Sequence, residues 1–463
     1  MLRTTGSEVE LAALILLAYI TIRRLHMKIT RTTKSSVLFG DELRQEPPQL
    51  SVESAMCSLA GTTNDGKYYH IPFSKDVLSK HIMLMGGIGT GKTNTFFQIV
   101  SQLKQNMTDE DIMVVFDTKG DFYKEFYRPG DIVISNDETA TGGDCLNYWN
   151  IFNEIDENTQ LLENVIEISK SIFAEACERT NQIFFPNAAK DLFMATLLHF
   201  IRSVDPRKCT NKTLIEYLNY TPSNEFRDMI MKYPDLRAMS SYISNDDSPQ
   251  TQGVMSELQQ VVREIFVGNF AKNGTLSLKN LVRNKGGKTV FIEYDLSLGS
   301  LLTPIYSLMF DIAIKTALGR KRSEGNVYFV TDEFRLLPNL KHIDDAVNFG
   351  RSLGIKFMIG IQNVEQIYDN YGEERARSIL SGFSTSITFR LRDEASREYV
   401  KGMFGKNRKS DVYMPVVQTK GLAEEQRDGN VVEDWDITGL CVGEAIVGLP
   451  GEEPFTFKFD EYK

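Results

Sequence analysis

Short, almost wholly apolar runs alternate along the chain with polar turns and stretches of helical periodicity. Residues 81–85, 112–117, 132–135, 289–294, 326–331, 356–361 and 385–391 are such runs, the third weaker than the rest. A run that is apolar at every position reads as a strand buried on both faces. Between several of these runs lie helical patterns, at 94–103, 302–318 and 343–352, which predicts a mainly parallel sheet with helices on both sides. From about residue 154 to 274 the pattern changes, and helical periodicity dominates with no convincing buried strand. Residues 188–202, for example, set Leu192, Phe193, Ala195, Thr196, Leu197 and Phe200 along one side. Further helices are expected at 211–220, 225–233 and 253–267, separated by polar clusters such as 244–252, which reads as a solvated loop. The expected fold is therefore α/β, a mainly parallel sheet split in sequence by an all-helical insertion and closing into one sheet. Residues 31–80, with the Pro47-Pro48 pair and short alternating runs, read as a linker and a small β element.

Composition narrows this picture without changing it. At 463 residues and 42% hydrophobic content the chain can bury two or three cores of ordinary size. The formal net charge of −10 excludes an all-round basic coat, so any nucleic-acid contact has to be local, in a channel or a few loops. The five cysteines are scattered, with no CxxC pair, which disfavours a disulfide framework or a zinc site, and the five histidines show no metal-ligand spacing. Residues 9–22 are apolar apart from Glu10 and are followed by Arg23, Arg24, His26, Lys28, Arg31 and Lys34. That run is shorter than the ~20 residues of a full span, but its charge asymmetry fits a helix whose carboxyl side stays in the cytoplasm. Residues 1–34 are read either as a short membrane anchor with a basic flank or as a packed terminal helix.

The run at 81–85 leads directly into Gly86-Gly87-Ile88-Gly89-Thr90-Gly91-Lys92-Thr93, which fits the GxxxxGK[ST] phosphate-binding loop. The glycines let successive N–H groups turn inward toward phosphate oxygens. Lys92 is placed for the β- and γ-phosphates, the Thr93 hydroxyl for Mg²⁺, and Asn94 opens a helix whose amino terminus adds partial positive charge. The strand before and the helix after are the context this motif requires, so the chain is expected to bind ATP or GTP.

Hydrolysis needs an acid near the metal and a group that positions water. Asp332 and Glu333 close the apolar run at 326–331 and supply the pair, Asp332 for the metal and Glu333 for the water. The plainer alternative is an acidic turn capping the next segment. Gln362, at the end of the run 356–361, either senses the γ-phosphate or caps a helix. Arg351 either stays on the surface or reaches the triphosphate of a neighbouring subunit as a charge-stabilising finger.

Taken together, the loop at 86–93, the turn Asp117-Thr118-Lys119-Gly120-Asp121, the acids with Phe334, and the Gly360-Ile361-Gln362 strand end resemble the conjugative coupling proteins of type IV secretion systems, within the wider FtsK/HerA class of ring-forming translocases. The stretch 184–191, Phe-Phe-Pro-Asn-Ala-Ala-Lys-Asp, is similar to the entry of that family's all-helical domain. The resemblance implies a RecA-like P-loop ATPase core, with nucleotide-binding parts at 35–153 and 286–463 and the helical insertion at 154–285. It implies a homo-hexameric motor using ATP and Mg²⁺, at the cytoplasmic face of a bacterial inner membrane, that moves DNA with its bound relaxase toward secretion-channel proteins. Lys92 and Thr93 then serve phosphate and Mg²⁺, Asp332 and Glu333 metal and water, Gln362 sensing, and Arg351 action across a subunit boundary. Relatives usually carry two membrane helices and this chain offers at most one, which leaves open a soluble HerA-like DNA-processing or defence translocase, or a nucleotide-controlled protein-binding switch. The basic stretch 401–409 reads as a solvated turn or a contact to DNA phosphates.

Overall fold

A computed structural model describes residues 34–51, 54–137, 148–156, 160–203, 205–320, 325–413 and 423–463. The expectation for residues 1–34 falls almost entirely outside them. Strands form at β1 (Lys34–Phe39), β2 (Ala55–Thr62), β3 (Tyr68–Ser74), β4 (Ile82–Met85), β5 (Ile112–Asp117), β6 (Ile132–Ile134) and β7 (Lys288–Glu293). They continue with β8 (Val327–Thr331), β9 (Ile355–Ile361), β10 (Thr385–Phe389), β11 (Lys406–Tyr413), β12 (Ala423–Asn430), β13 (Glu444–Gly448) and β14 (Phe455–Phe459).

Eleven of these strands make one sheet in the order β3-β2-β14-β13-β10-β4-β9-β8-β5-β7-β6. From β10 to β6 every pairing is parallel, which is the core the apolar runs predicted. Its strands are buried along most of their length because each face has its own cover. In β5, Ile112, Val114 and Phe116 pack with the helical region, while Met113 and Val115 pack with Phe96, Ile99 and Leu103 of the helix Lys92–Asn106 on the other side. Alternate residues of one strand point to opposite faces, so a strand with two apolar faces belongs to two cores at once.

The described part of the segment 31–80 does carry β structure, β1 to β3, but it is not set apart from the core. β2 and β3 join the main sheet through β14, antiparallel, and extend it past β13. β1 pairs instead with β11, and β11 with β12, in a three-stranded antiparallel sheet. The basic stretch 401–409 is not a turn: it is the end of the helix Glu394–Phe404 and the start of β11, with Lys406 and Arg408 exposed. Lys401 pairs with Glu398 and, at 3.2 Å, with Asp434, and Lys409 pairs with Glu433 at 3.3 Å.

Among the described residues the elements between β6 and β7 are helical, among them Leu161–Ile172, Phe184–Arg202, Asn211–Tyr220, Ser223–Met231, Pro249–Ile265 and Leu278–Asn284. The chain's exit and return are fastened together: Trp149 bridges Leu276, and the buried Glu154 carboxylate accepts from the backbone N–H groups of Leu278 (2.7 Å) and Lys279 (3.0 Å). The helix Gly299–Leu318 is long and apolar enough to cross a membrane, but Leu302, Ile305, Phe310 and Ile314 are buried where the helical region meets the sheet. It is a core helix by packing.

Candidate active site

The carboxyl ends of parallel strands are where backbone N–H groups and helix amino termini open toward a ligand. Here β4, which carries the glycine loop, lies beside β9, and β9 lies beside β8, which carries the two acids. The strand ending in Gln362 is therefore wedged between the loop and the acids. The loop is braced by both its neighbours: Gly86 N–H donates to Ile361 O (3.0 Å) at the end of β9, and Gly87 N–H to Arg390 O (3.1 Å) just past β10. Gly89 and Gly91 take φ of 71° and 123°, values that L side chains rarely adopt. Thr90 hydroxyl donates to Gly87 O (2.8 Å), and Thr90 O accepts from Gly443 N–H (2.9 Å). The turn before β13 thus packs over the loop, and Ile88 at the loop tip is exposed.

Lys92 starts the helix Lys92–Asn106, two residues earlier than the periodicity suggested, because the loop itself supplies the helix entry. Its ammonium group is folded back onto Gly86 O and, at 3.0 Å, Gly87 O. Burial lowers its pKa to about 8, while the charges of Glu333 and Asp332 act in the opposite sense. Lysine and acids thus share one electrostatic environment, although the sequence sets them far apart.

Both acids are buried, and burial raises both pKa values. For Asp332 the effect is opposed by a hydrogen bond from Thr118 Oγ1 to Oδ1 (2.9 Å). For Glu333 it is opposed by Arg335 and Lys92, and Arg335 Nε donates to Oε1 at 3.1 Å. Gln362 Nε2 donates to Glu333 Oε2. The capping alternatives for these residues do not hold. Glu333 caps nothing through its side chain, and the helix after Gln362 is capped by Asn363, whose side chain accepts from Glu365 N–H at 2.7 Å.

Lys92, Asp332, Glu333 and Gln362 come together, and Thr93 lies half-buried in the first helical turn. Asn94 is turned elsewhere: its amide donates to Asp460 O (2.8 Å) and accepts from Tyr462 N–H (2.7 Å), fastening the carboxyl-terminal segment to the helix. Arg351 is at the opposite, amino-terminal ends of the strands. It lies in a one-turn helix, Gly350–Leu353, that precedes β9, and the seven residues of β9 separate it from Gln362 by roughly 20 Å of strand. It is half exposed there and pairs with Asp76 at 2.5 Å. Thr118 stands in the Asp117–Asp121 turn that the sequence shows, but without a role assigned to it there, and neither Arg335 nor the turn at Gly443 stands out in the sequence. Arg335 follows Glu333 by two positions, but nothing in the sequence joins Thr118 to Asp332 or Gly443 to Thr90.

The family model for the type IV secretion-system coupling protein DNA-binding domain matches residues 67–442. The coupling protein TraD of Escherichia coli (strain K12) is 22% identical over 437 residues, which takes in 91% of this chain and 58% of TraD. The chain thus spans less than two thirds of that relative's length. Among solved structures, the bacterial conjugative coupling protein TrwB in an unbound form superposes with a TM-score of 0.70 at 18% identity, over 94% of each chain. TrwB in complex with ADP and Mg²⁺ gives 0.70 at 17% identity, over 94% of this chain and 96% of that one. VirB4 of Thermoanaerobacter pseudethanolicus gives 0.55 at 12%, over 90% and 98%. At these identities the superpositions establish the fold, a RecA-like α/β core.

Proposed function

The chain belongs to the coupling proteins of type IV secretion systems, and from that premise we propose that it is an ATP-driven DNA translocase that delivers DNA, with its bound relaxase, to a secretion or conjugation channel. One observation carries the reading: a glycine loop with its lysine, a buried acid pair and a strand-end amide meet at the carboxyl ends of neighbouring parallel strands. Phosphoryl transfer asks a protein mainly for positioning and charge stabilisation, and these groups supply both.

In this reading the loop N–H groups and Lys92 hold the β- and γ-phosphates, and Lys92 exchanges the carbonyls of Gly86 and Gly87 for phosphate oxygens. Glu333 orients the attacking water and takes its proton, with Gln362 and Arg335 fixing the carboxylate. The donors available for a metal, the Thr93 hydroxyl and the Asp332 carboxylate, are hard oxygens, which suits Mg²⁺ rather than a thiophilic ion. Bound Mg²⁺ would neutralise charge on the phosphates. Arg351 lies at the amino-terminal ends of the strands, away from its own loop, so any triphosphate it meets belongs to another copy of the chain. That supports a ring, here taken as a homo-hexamer, in which each site is completed by a neighbour. TrwB has been solved with ADP and Mg²⁺ and with non-hydrolysable ATP and GTP analogues, which supports the nucleotide and the metal. Membership of the family supports a motor at the cytoplasmic face of the inner membrane, with secretion-channel proteins as partners.

The test is the ATP hydrolysis rate of the purified protein as DNA and protein concentration are varied. The proposal expects specific activity to rise with both, because DNA organises the ring and the arginine comes from a neighbour. A rate per chain indifferent to both overturns it.

A further inference from the structure

The turn after β5 reaches the acid strand through one side chain. Asp117, the last residue of β5, is buried, and its carboxylate accepts from Tyr123 N–H (2.8 Å) and, more weakly, from Lys119 N–H (3.4 Å). This bends the chain sharply and starts the helix Asp121–Phe126. Gly120 makes the bend possible, with φ of 70° and a Cβ position only 2.9 Å from Glu293 Oε1 at the end of β7. Held between these two anchors, Thr118 is buried and its hydroxyl points across to the neighbouring strand end, where it donates to Asp332 Oδ1 at 2.9 Å. Among the described residues no other hydrogen bond reaches the Asp332 carboxylate. β5 and β8 are adjacent, so the contact joins two neighbouring strand ends.

On the nucleotide-hydrolysing reading above, we propose that Thr118 is a positioning residue for the metal-holding acid: its hydroxyl occupies Oδ1 and fixes the rotation of the Asp332 carboxylate, leaving the other oxygen for the Mg²⁺ shell. A buried carboxylate without that donor is free to turn about its last bond, and a freely turning ligand holds a metal less well. Asp117 and Gly120 act one step further back, by setting the turn that aims Thr118. The residue contributes no atom to the reacting groups, and its effect should therefore appear in metal dependence and not in nucleotide binding as such.

The test uses the full chain and a fluorescent ATP analogue, first bound in EDTA and then titrated with Mg²⁺. Thr118→Val keeps the shape and removes the donor; Thr118→Ser keeps the donor. The expected result for Thr118→Val is a rise of about tenfold in the Mg²⁺ concentration giving half the metal-induced signal change. Its EDTA affinity and melting temperature should stay close to those of the unmodified protein, and Thr118→Ser should lie within about twofold of that protein throughout. The proposal is overturned if Thr118→Val titrates like the unmodified protein, if Thr118→Ser is as impaired as Thr118→Val, or if affinity in EDTA falls in parallel. If the unmodified protein itself shows no Mg²⁺-dependent nucleotide signal, it is the underlying reading of the site that fails.

Discussion

His342 lies between two carboxylates, Nδ1 against Asp311 Oδ2 and Nε2 against Glu167 Oε1, each at 3.0 Å. Its backbone N–H donates to Asp311 Oδ1 at 3.0 Å as well. Glu167 comes from the helix Leu161–Ile172, Asp311 from Gly299–Leu318, and His342 from the segment that follows the strand-end acids, so the cluster joins the helical region to that segment. An imidazole with a carboxylate on each nitrogen is held as the doubly protonated cation. Burial works against that charge, but the bonds to Asp311 and Glu167 outweigh it and set the pKa at about 9. Glu167 is held down at about 2 against its own burial, by His342 and by Lys315. Lys341 also faces the cluster, donating to Glu167 O (3.0 Å) and Ser171 Oγ (2.9 Å). Because the folded pKa of His342 lies above its ordinary value of 6.5, its contribution to stability is complete below pH 6.5 and is lost as pH rises through 9. The full difference is worth at most about 3 kcal/mol, and solvent at the rim of the cluster brings this to about 1–2 kcal/mol. Glu167 has the opposite dependence, losing its contribution only as pH falls below about 4.5, so it is constant across this window. We expect urea unfolding at pH 6 and pH 9.5 to show the native protein losing about 1–2 kcal/mol more than His342→Gln. Lysines whose pKa is lowered by burial, such as Lys92 and Lys356, titrate in both proteins and cancel in the comparison. Equal losses in the two proteins would refute the reasoning.

The remaining predictions concern turnover. Glu333→Gln keeps the side-chain shape but not the base, and should lower ATP hydrolysis by about 10²–10⁴-fold with nucleotide binding retained, measured by phosphate release beside a binding titration. Lys92→Ala should abolish turnover in the same assay. Arg351→Ala should abolish it as well, because the arginine acts in a neighbouring subunit's site. Mixing Arg351→Ala with Glu333→Gln should then restore part of the activity, because some boundaries recover an intact glutamate from one chain and an intact arginine from the other.

The parts of the fold legible in the sequence were those whose chemistry is local. β4, β5, β8 and β9 are buried on both faces, so each reads as a mostly apolar run, broken only by Asp117 and Thr331 at the ends of β5 and β8 and by Lys356 in β9. β14 alternates, with Thr456 and Lys458 turned outward, and β2 is only half-buried, so neither signals membership of the main sheet. β11 and β12 carry almost no apolar pattern. They are held by backbone pairing and by charge pairs such as Arg427 with Asp411 (2.6 Å), which depend on a register the sequence does not display. The helix expected at 343–352 ends at Phe349 and passes into the one-turn helix Gly350–Leu353, closed by Gly354 in the left-handed region. At the site, the glycine and lysine spacing of the loop is set by phosphate geometry and was plain. The bond from Thr118 to Asp332 spans 214 positions of chain and exists only because β5 and β8 are neighbours.

The central claim is that nucleotide turnover at the Lys92–Glu333 site moves DNA. Displacement of a triplex-forming strand from duplex DNA measures that movement directly. The account predicts ATP-dependent displacement by the unmodified protein and none by Glu333→Gln at equal DNA binding. Hydrolysis without displacement, or displacement that survives Glu333→Gln, would contradict it.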